Sequence, residues 1–228
     1  MKYAGDLYEN NTLNSRNPLA RFAHRRRLHR SVALARSLLH GGILLDYGCG
    51  AGSFVNALAQ AGERAIGYDP YMSATLQSGV PTFENLTDAV RHGPFDVVTL
   101  FEVLEHLSDQ EFRDFLSLSK TMLARHGVLL FSAPIEIGPA LFLKELNRFL
   151  LPPHRREYGL VELIMAGVFG VPGARAPDIK VSHKGFDFRR ALGALRDANY
   201  SVRVLGFSPL PLHSWYGNSQ VFFSASPE

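Results

Sequence analysis

Asp46, Gly48, Gly50 and Gly52 stand at alternate positions in Ile43-Leu44-Leu45-Asp46-Tyr47-Gly48-Cys49-Gly50-Ala51-Gly52-Ser53-Phe54. An apolar run ends there on an acid, turns on glycines and enters a helix. Glycine reaches backbone angles closed to other residues and lets a ligand approach the main chain. The N-terminus of the following helix offers free N–H groups. The pattern predicts a cradle for a nucleotide-like cofactor. The dinucleotide spacing Gly-x-Gly-x-x-Gly would put a third glycine or alanine at position 53, where this chain has Ser53. The next run, Arg64-Ala65-Ile66-Gly67-Tyr68-Asp69, ends on a second acid, about 20 residues past the glycines. A carboxylate can accept from both hydroxyls of an unmodified ribose and repels a 2′-phosphate. Asp69 is assigned that ribose, against the alternative that it only opens the Asp69-Pro70 turn.

Two histidines are candidates for proton chemistry. His106 lies in Leu104-Glu105-His106, just after the run Phe95 to Leu100 and before a capping box, Ser108-Asp109-Gln110-Glu111, with Leu107 and Phe112 as its staple. It is read as a substrate contact or general base, or alternatively as a residue that packs on the cofactor or orders the loop. His183 lies in Ser182-His183-Lys184-Gly185-Phe186-Asp187-Phe188, where a long connection meets the last helix. It is the second catalytic candidate and the better placed, although a plain helix-start loop explains it equally. The nine histidines are scattered without partner cysteines, so no metal ligands are assigned. Cys49, inside the glycine loop, is read as a small filler rather than a nucleophile.

These residues need a scaffold that brings strand ends together. Strands are expected at 43–46, 64–69, 79–83, 95–100 and 127–132, apolar without clean alternation, as in parallel strands buried on both faces. Helical stretches between them give the βαβα rhythm of a doubly wound α/β sheet. Upstream, Arg16, Arg21, Arg25, Arg26, Arg27, Arg30 and Arg36 occur with no acid among them. Asn17-Pro18 reads as the start of that helix and Gly41 as its stop. Leu28, Val32, Ala35 and Leu39 form the stripe that docks on the sheet. One or two of Arg25, Arg26 and Arg27 would then face the cofactor mouth, to pair with a carboxylate or an anionic substrate. A solvated basic face explains the same residues.

The chain resembles a class I S-adenosylmethionine-dependent methyltransferase of the group acting on small molecules and lipids. The resemblance rests on Asp46 to Gly52, on Asp69, and on Phe95 to Leu107 with its Phe-Asp-Val-Val and Leu-Glu-His-Leu elements. It implies a seven-stranded, mostly parallel Rossmann-like sheet closed by an antiparallel pair at 200–207 and 220–225. It implies S-adenosyl-L-methionine as cofactor and S-adenosyl-L-homocysteine as product. Gly48, Gly50 and Gly52 would pass beneath the methionine part, Asn85 and Leu86 would flank the adenine, and Phe101 and Glu102 would line the floor near the sulfonium. Asn85 departs from the aspartate that many relatives carry. In similar enzymes a histidine at the position of His183 often faces the acceptor.

The 228 residues suit one domain with an elaboration. It divides into a basic helical arm (1–41), a cofactor core (42–132), a helical lid insertion (133–182) and a C-terminal helix with the strand pair (183–228). Within the insertion, helices are expected at 140–150 and 157–169 around a Pro152-Pro153 break. Its apolar residues, punctuated by Lys144, Arg148, Arg155, Arg156, Arg175 and Lys180, read as a lid over a greasy acceptor, as a dimer surface or extra layer, or as a patch on anionic lipid. One cysteine excludes an intramolecular disulfide and fits a cytoplasmic setting. The N-terminus lacks the apolar core of a signal peptide, and no run is long enough to span a bilayer. The basic segment has too few stacking aromatics for nucleic acid. The expectation is methyl transfer, at oxygen, to a small or lipid-like acceptor, neutral or anionic, by a monomer or homodimer that is cytoplasmic or peripheral to a membrane. An NAD-dependent oxidoreductase and a non-catalytic cofactor-binding protein are the rival readings.

Overall fold

The computed structural model of the chain describes residues 18–71, 79–150, 157–210 and 213–228. Arg16, the Asn17 cap, the Pro152-Pro153 break and Arg155 and Arg156 lie outside the described residues. In chain order the elements are α1 (Pro18–Leu39), β1 (Ile43–Tyr47), α2 (Ser53–Gln60), β2 (Arg64–Tyr68), β3 (Thr82–Phe83) and α3 (Leu86–Val90). Next come β4 (Phe95–Phe101), a 3₁₀ turn (Leu104–His106), α4 (Asp109–Met122), β5 (Leu123–Pro134), α5 (Ala140–Leu150) and α6 (Leu160–Phe169). The chain closes with α7 (Phe188–Asp197), β6 (Tyr200–Ser208), a 3₁₀ turn (Trp215–Gly217) and β7 (Gln220–Pro227).

The seven strands form one sheet in the order β3-β2-β1-β4-β5-β7-β6. β1 to β5 pair in parallel, and β7 runs antiparallel to both β5 and β6. Alternation along the strands divides the core in two. Leu45, Val98 and Leu129 face the layer that holds α4 and α7, while Leu44, Val97 and Leu130 face the layer of α1 and α2. Both faces are covered, which is why the sequence runs are almost continuously apolar.

Local chemistry sets the helix ends. Ser108 and Glu111 form the expected capping box at α4. Leu28, Val32, Ala35 and Leu39 of α1 all pack on the second layer. Arg30 adds a polar clamp, donating to the carbonyls of Phe207 at 2.8 Å and Leu205 at 3.2 Å. The helix stops where His40 and Gly41 turn left-handed. Three boundaries differ from expectation. β3 keeps only Thr82 and Phe83 of 79–83, because only these pair with β2. β5 extends beyond 127–132, since β4 pairs with its start and β7 with its end. α6 starts at Leu160 because the Glu162 carboxylate reaches back to accept from Gly159 N–H at 3.2 Å. No helix among the described residues is long and apolar enough to cross a membrane.

The glycine loop rests on β2 through a tight contact. A Cβ placed on Gly67 would lie 2.7 Å from Cys49 Sγ and 3.0 Å from Thr82 Cγ2. Cys49 is therefore the small buried filler expected of it. Gly67→Ala should destabilise the fold by about 1–3 kcal/mol through overpacking, and adding Cys49→Ala should restore part of that loss. Urea denaturation of the single and double variants measures both, and strict additivity would contradict the contact.

Candidate active site

The loop after β1 turns on three left-handed glycines, with φ of 88° at Gly48, 52° at Gly50 and 82° at Gly52. Gly48 and Cys49 N–H groups donate to the Tyr68 carbonyl at 2.7 and 3.0 Å, which fastens the loop to the end of β2. Asp69 completes the anchor. One oxygen accepts from Gly50 N–H at 2.9 Å and the other from Tyr71 N–H at 2.8 Å. Asp69 thus opens the turn and braces the glycine loop at once. A Cβ on Gly50 would meet nothing within 4 Å, so the outer side of the loop is open to a ligand. A Cβ on Gly48 would lie 2.5 Å from Val103 Cγ2, so the loop closes against the segment after β4.

Asp46 lies buried beneath this loop and accepts from Thr99 Oγ1 at 2.7 Å. Burial pushes its carboxyl up to about 7, against the Thr99 hydrogen bond and with a further push from Asp69. Burial, followed by the charges of Asp46 and Asp69, also raises the Cys49 thiol well above its ordinary value, which leaves it a poor nucleophile at neutral pH. Asn85 caps α3 by accepting from Thr87 N–H at 2.9 Å, and Leu86 packs partly on the core. Phe101 packs edge-on between Phe54 and Phe222, at centroid distances of 4.8 and 6.3 Å.

Glu102 takes a left-handed backbone, φ 57°, which is rare outside glycine and aims its side chain across the sheet. Its carboxylate accepts from Arg27 of α1 at 2.7 Å and from the Gln220 amide of β7. Burial works to raise this carboxyl, but the surrounding positive groups, Arg27 foremost, outweigh it and hold it below the usual range. Glu102 and Arg27 line a cavity of about 240 Å³ together with Glu136, Lys144, Arg148 and His183. Lys144 Nζ donates to Glu136 at 2.7 Å and to the Ile135 carbonyl at 2.9 Å. The insertion therefore lines the cleft with charge, not with the apolar wall expected of a greasy lid. The reason is the orientation of α5: Lys144 and Arg148 turn inward, while Leu143, Leu146 and Phe149 face solvent.

His106 and His183 meet at the edge of this cavity, with Nε2 atoms 3.3 Å apart and ring centroids 5.0 Å apart. His106 Nδ1 lies 3.0 Å from the Ile179 carbonyl, an acceptor only, so Nδ1 carries the proton. Burial lowers both imidazoles, His183 to about 4, so both are neutral at pH 7. Glu105 is wholly buried beside them, its Oε1 3.8 Å from His183 Nε2. Burial, reinforced by the Glu102 charge, holds the Glu105 carboxyl well above the usual range. Arg175 ties the His183 loop to the 3₁₀ turn, donating to the carbonyls of Ser182, Lys184 and Glu105.

Arg27 answers the expectation that one N-terminal arginine faces the site. Gln220, Glu136 and Glu105 had no assigned role. Gln220 opens an ordinary strand, and no local pattern marks it. Glu105, an acid directly before the candidate His106, was the one legible signal.

The buried Asp46 has a measurable consequence. Its carboxyl is protonated up to about 7 in the fold, against an ordinary 3.8 when unfolded. Between those values the folded chain holds more protons, so this group makes stability fall as pH rises. Asp46→Asn should flatten that fall by on the order of 4 kcal/mol between about pH 4 and pH 7. Urea denaturation at the two ends of the window tests it, and an unchanged pH slope would contradict it.

A family model described as a methyltransferase domain matches residues 19–163. The ubiquinone biosynthesis O-methyltransferase of Pseudomonas paraeruginosa is 39% identical over 201 residues, which cover 79% of this chain and 74% of that protein. Its counterpart from Hahella chejuensis is 34% identical over 121 residues, 47% of this chain, and there the chain spans about half (49%) of the relative's length. The crystal structure of a SAM-dependent methyltransferase from Archaeoglobus fulgidus shares the fold, with a TM-score of 0.60 across 97% of this chain and 98% of that one at 14% identity. With the glycine loop, the acids at the ends of β1 and β2 and the antiparallel closing pair all in one sheet, this chain belongs to the class I methyltransferases, whose cofactor is S-adenosyl-L-methionine.

Proposed function

We propose that the chain transfers a methyl group from S-adenosyl-L-methionine to an oxygen of a small or lipid-like acceptor bound in the cleft above Glu102. The observation that carries this reading is a cleft lined by Glu102, just after β4, and by His183, whose imidazole meets that of His106. The names of the O-methyltransferase relatives support oxygen as the acceptor atom. Family membership displaces the oxidoreductase reading.

The cofactor supplies an electrophilic methyl on a sulfonium. The residues of the chain do the positioning. Gly48, Gly50 and Gly52 give close approach to the main chain, and Asp46 supports them from below. Asp69 accepts from the ribose while bracing the loop, and Asn85 and Leu86 flank the adenine. Phe101 and Glu102 form the floor. When the acceptor oxygen bonds to the methyl carbon, the sulfur keeps the electron pair of the broken bond and the hydroxyl proton must leave. His183 and His106 are the groups that activate that oxygen. Holding the reacting atoms in line, away from water, supplies much of the rate.

The outward face of α5 and α6 suggests what kind of acceptor comes. Leu143, Phe149, Leu160, Val161 and Phe169 are all exposed by more than half, and large exposed apolar surfaces mark contact sites. Such a face suits a peripheral contact with a membrane that holds an amphiphilic acceptor. Flotation with vesicles should carry the wild type upward and leave a Phe149→Ser/Phe169→Ser variant behind. Equal recovery of the two would remove the membrane contact.

Calorimetric titration should show binding of S-adenosyl-L-methionine and S-adenosyl-L-homocysteine but not NAD. Asp69→Ala should weaken both by tenfold or more, because it removes the ribose acceptor and the partner of Gly50 N–H together. Binding of NAD alone would sink the methyl-transfer reading.

A further inference from the structure

We propose that Glu105, His106 and His183 bind one divalent transition-metal ion, and that this ion holds the acceptor oxygen. The three residues each offer one ligand atom, and these atoms lie within 4.8 Å of one another. Two nitrogens bound to one tetrahedral ion at about 2.0–2.1 Å stand roughly 3.3 Å apart. The Nε2 atoms of His106 and His183 are 3.3 Å apart. The Glu105 oxygen, 3.8 Å from His183 Nε2, is about half an ångström wider than that spacing. A small side-chain shift closes the difference.

An independent observation points to the ion. Glu105 has 0% exposure, and among the described residues neither of its carboxylate oxygens has a hydrogen-bond partner. A buried carboxyl left so is costly in either protonation state, and a bound cation removes the cost. Arg175, the nearby cation, does not answer this need. Its guanidinium is directed to main-chain carbonyls at Ser182 and Lys184 and at Glu105 itself. The Nδ1–H of His106 donates to the Ile179 carbonyl, which fixes the tautomer and turns the Nε2 lone pair toward the other two ligands. Ring nitrogens that bind metals are held in this way by an outer acceptor. Glu102 adds a second negative charge nearby, while its oxygens are already engaged by Arg27 and Gln220.

Two imidazoles and one carboxylate leave coordination positions open, and the set suits Zn²⁺, Fe²⁺, Co²⁺ or Mn²⁺. An acceptor hydroxyl bound at an open position would give up its proton to water more readily, and the resulting oxyanion would attack the methyl carbon as the sulfonium sulfur takes the pair of the broken bond. The imidazoles then act as ligands rather than as bases. Sequence spacing hides the set, because His183 lies 77 residues from His106. The role of the ion rests on the methyl-transfer reading, whereas the site itself rests on geometry.

The test uses the full chain stripped with a chelator and titrated with Co²⁺, followed by visible absorption, and with Zn²⁺ by calorimetry. The wild type should take up one equivalent of either ion, with the ligand-field bands of a low-coordinate Co²⁺. Glu105→Gln and His183→Asn should each weaken binding tenfold or more, while His126→Asn on the exposed part of β5 should not. Glu105→Gln keeps the shape of the side chain, His183→Asn lies on a loop, and far-UV circular dichroism confirms that each is folded. Absence of stoichiometric binding by the wild type would overturn the site, as would unchanged binding in both ligand variants. S-adenosyl-L-methionine titrated into the same samples separates the two readings. Metal bound without the cofactor would end the methyl-transfer reading and leave the site standing. Cofactor bound without metal would do the reverse.

Discussion

The part-buried carboxylate of Glu102 is the constraint on which the cleft depends. A charge largely withdrawn from water must be paired and hydrogen-bonded, and a partner lost from such a pair leaves the other charge uncompensated. Glu102 finds its partners on elements far apart in the chain, Arg27 on α1 and Gln220 on β7. The N-terminal helix and the last strand are thereby drawn to the end of the central strand β4. The left-handed backbone at Glu102 is the local cost of aiming the side chain there. Strain of this kind persists only where surrounding contacts over-determine it, and here they come from both edges of the cleft.

The glycine loop follows the same logic on the other side of β1. Three left-handed glycines give the turn its path, but hydrogen bonds to the Tyr68 carbonyl and the Asp69 carboxylate hold it in place. Asp69 is committed to the loop before any ligand arrives. A cofactor that engages the same carboxylate would therefore meet a preorganised partner, with little ordering left to be done on binding.

The insertion between β5 and α7 is built around its charges. Lys144 with Glu136 and Arg148 with Glu145 satisfy one another along the inner side of α5, at 2.7 Å each. Tyr158 adds a hydroxyl that accepts from Gly185 N–H at 3.1 Å, two residues past His183, and so helps to hold its loop. Lys144, Glu145 and Arg148 turn inward beside the buried Leu141, while Leu143, Leu146 and Phe149 face out. The outward residues are thus apolar, unlike the solvent side of an ordinary amphipathic helix.

Much of this was legible in the chain before folding. Continuous apolar runs, glycine spacing and the Ser108–Glu111 cap are local patterns, and the strands, the loop and α4 follow them closely because short-range chemistry decides such elements. The two acids that close β1 and β2 were legible for the same reason. What only the tertiary structure decided is which distant residues share a cavity. Gln220 carries no local mark, Arg27 was one of several neighbouring arginines, and the nearness of His106 and His183 depends on Arg175 tying a late loop to an early turn. The facing of α5 was equally hidden, since an amphipathic pattern shows that a helix has two sides but not which side the rest of the protein will cover. The sequence by itself determined the family and the cradle through patterns a few residues long; the floor, the histidine pair and the buried Glu105 arise from contacts between distant segments, which only the folded chain brings together.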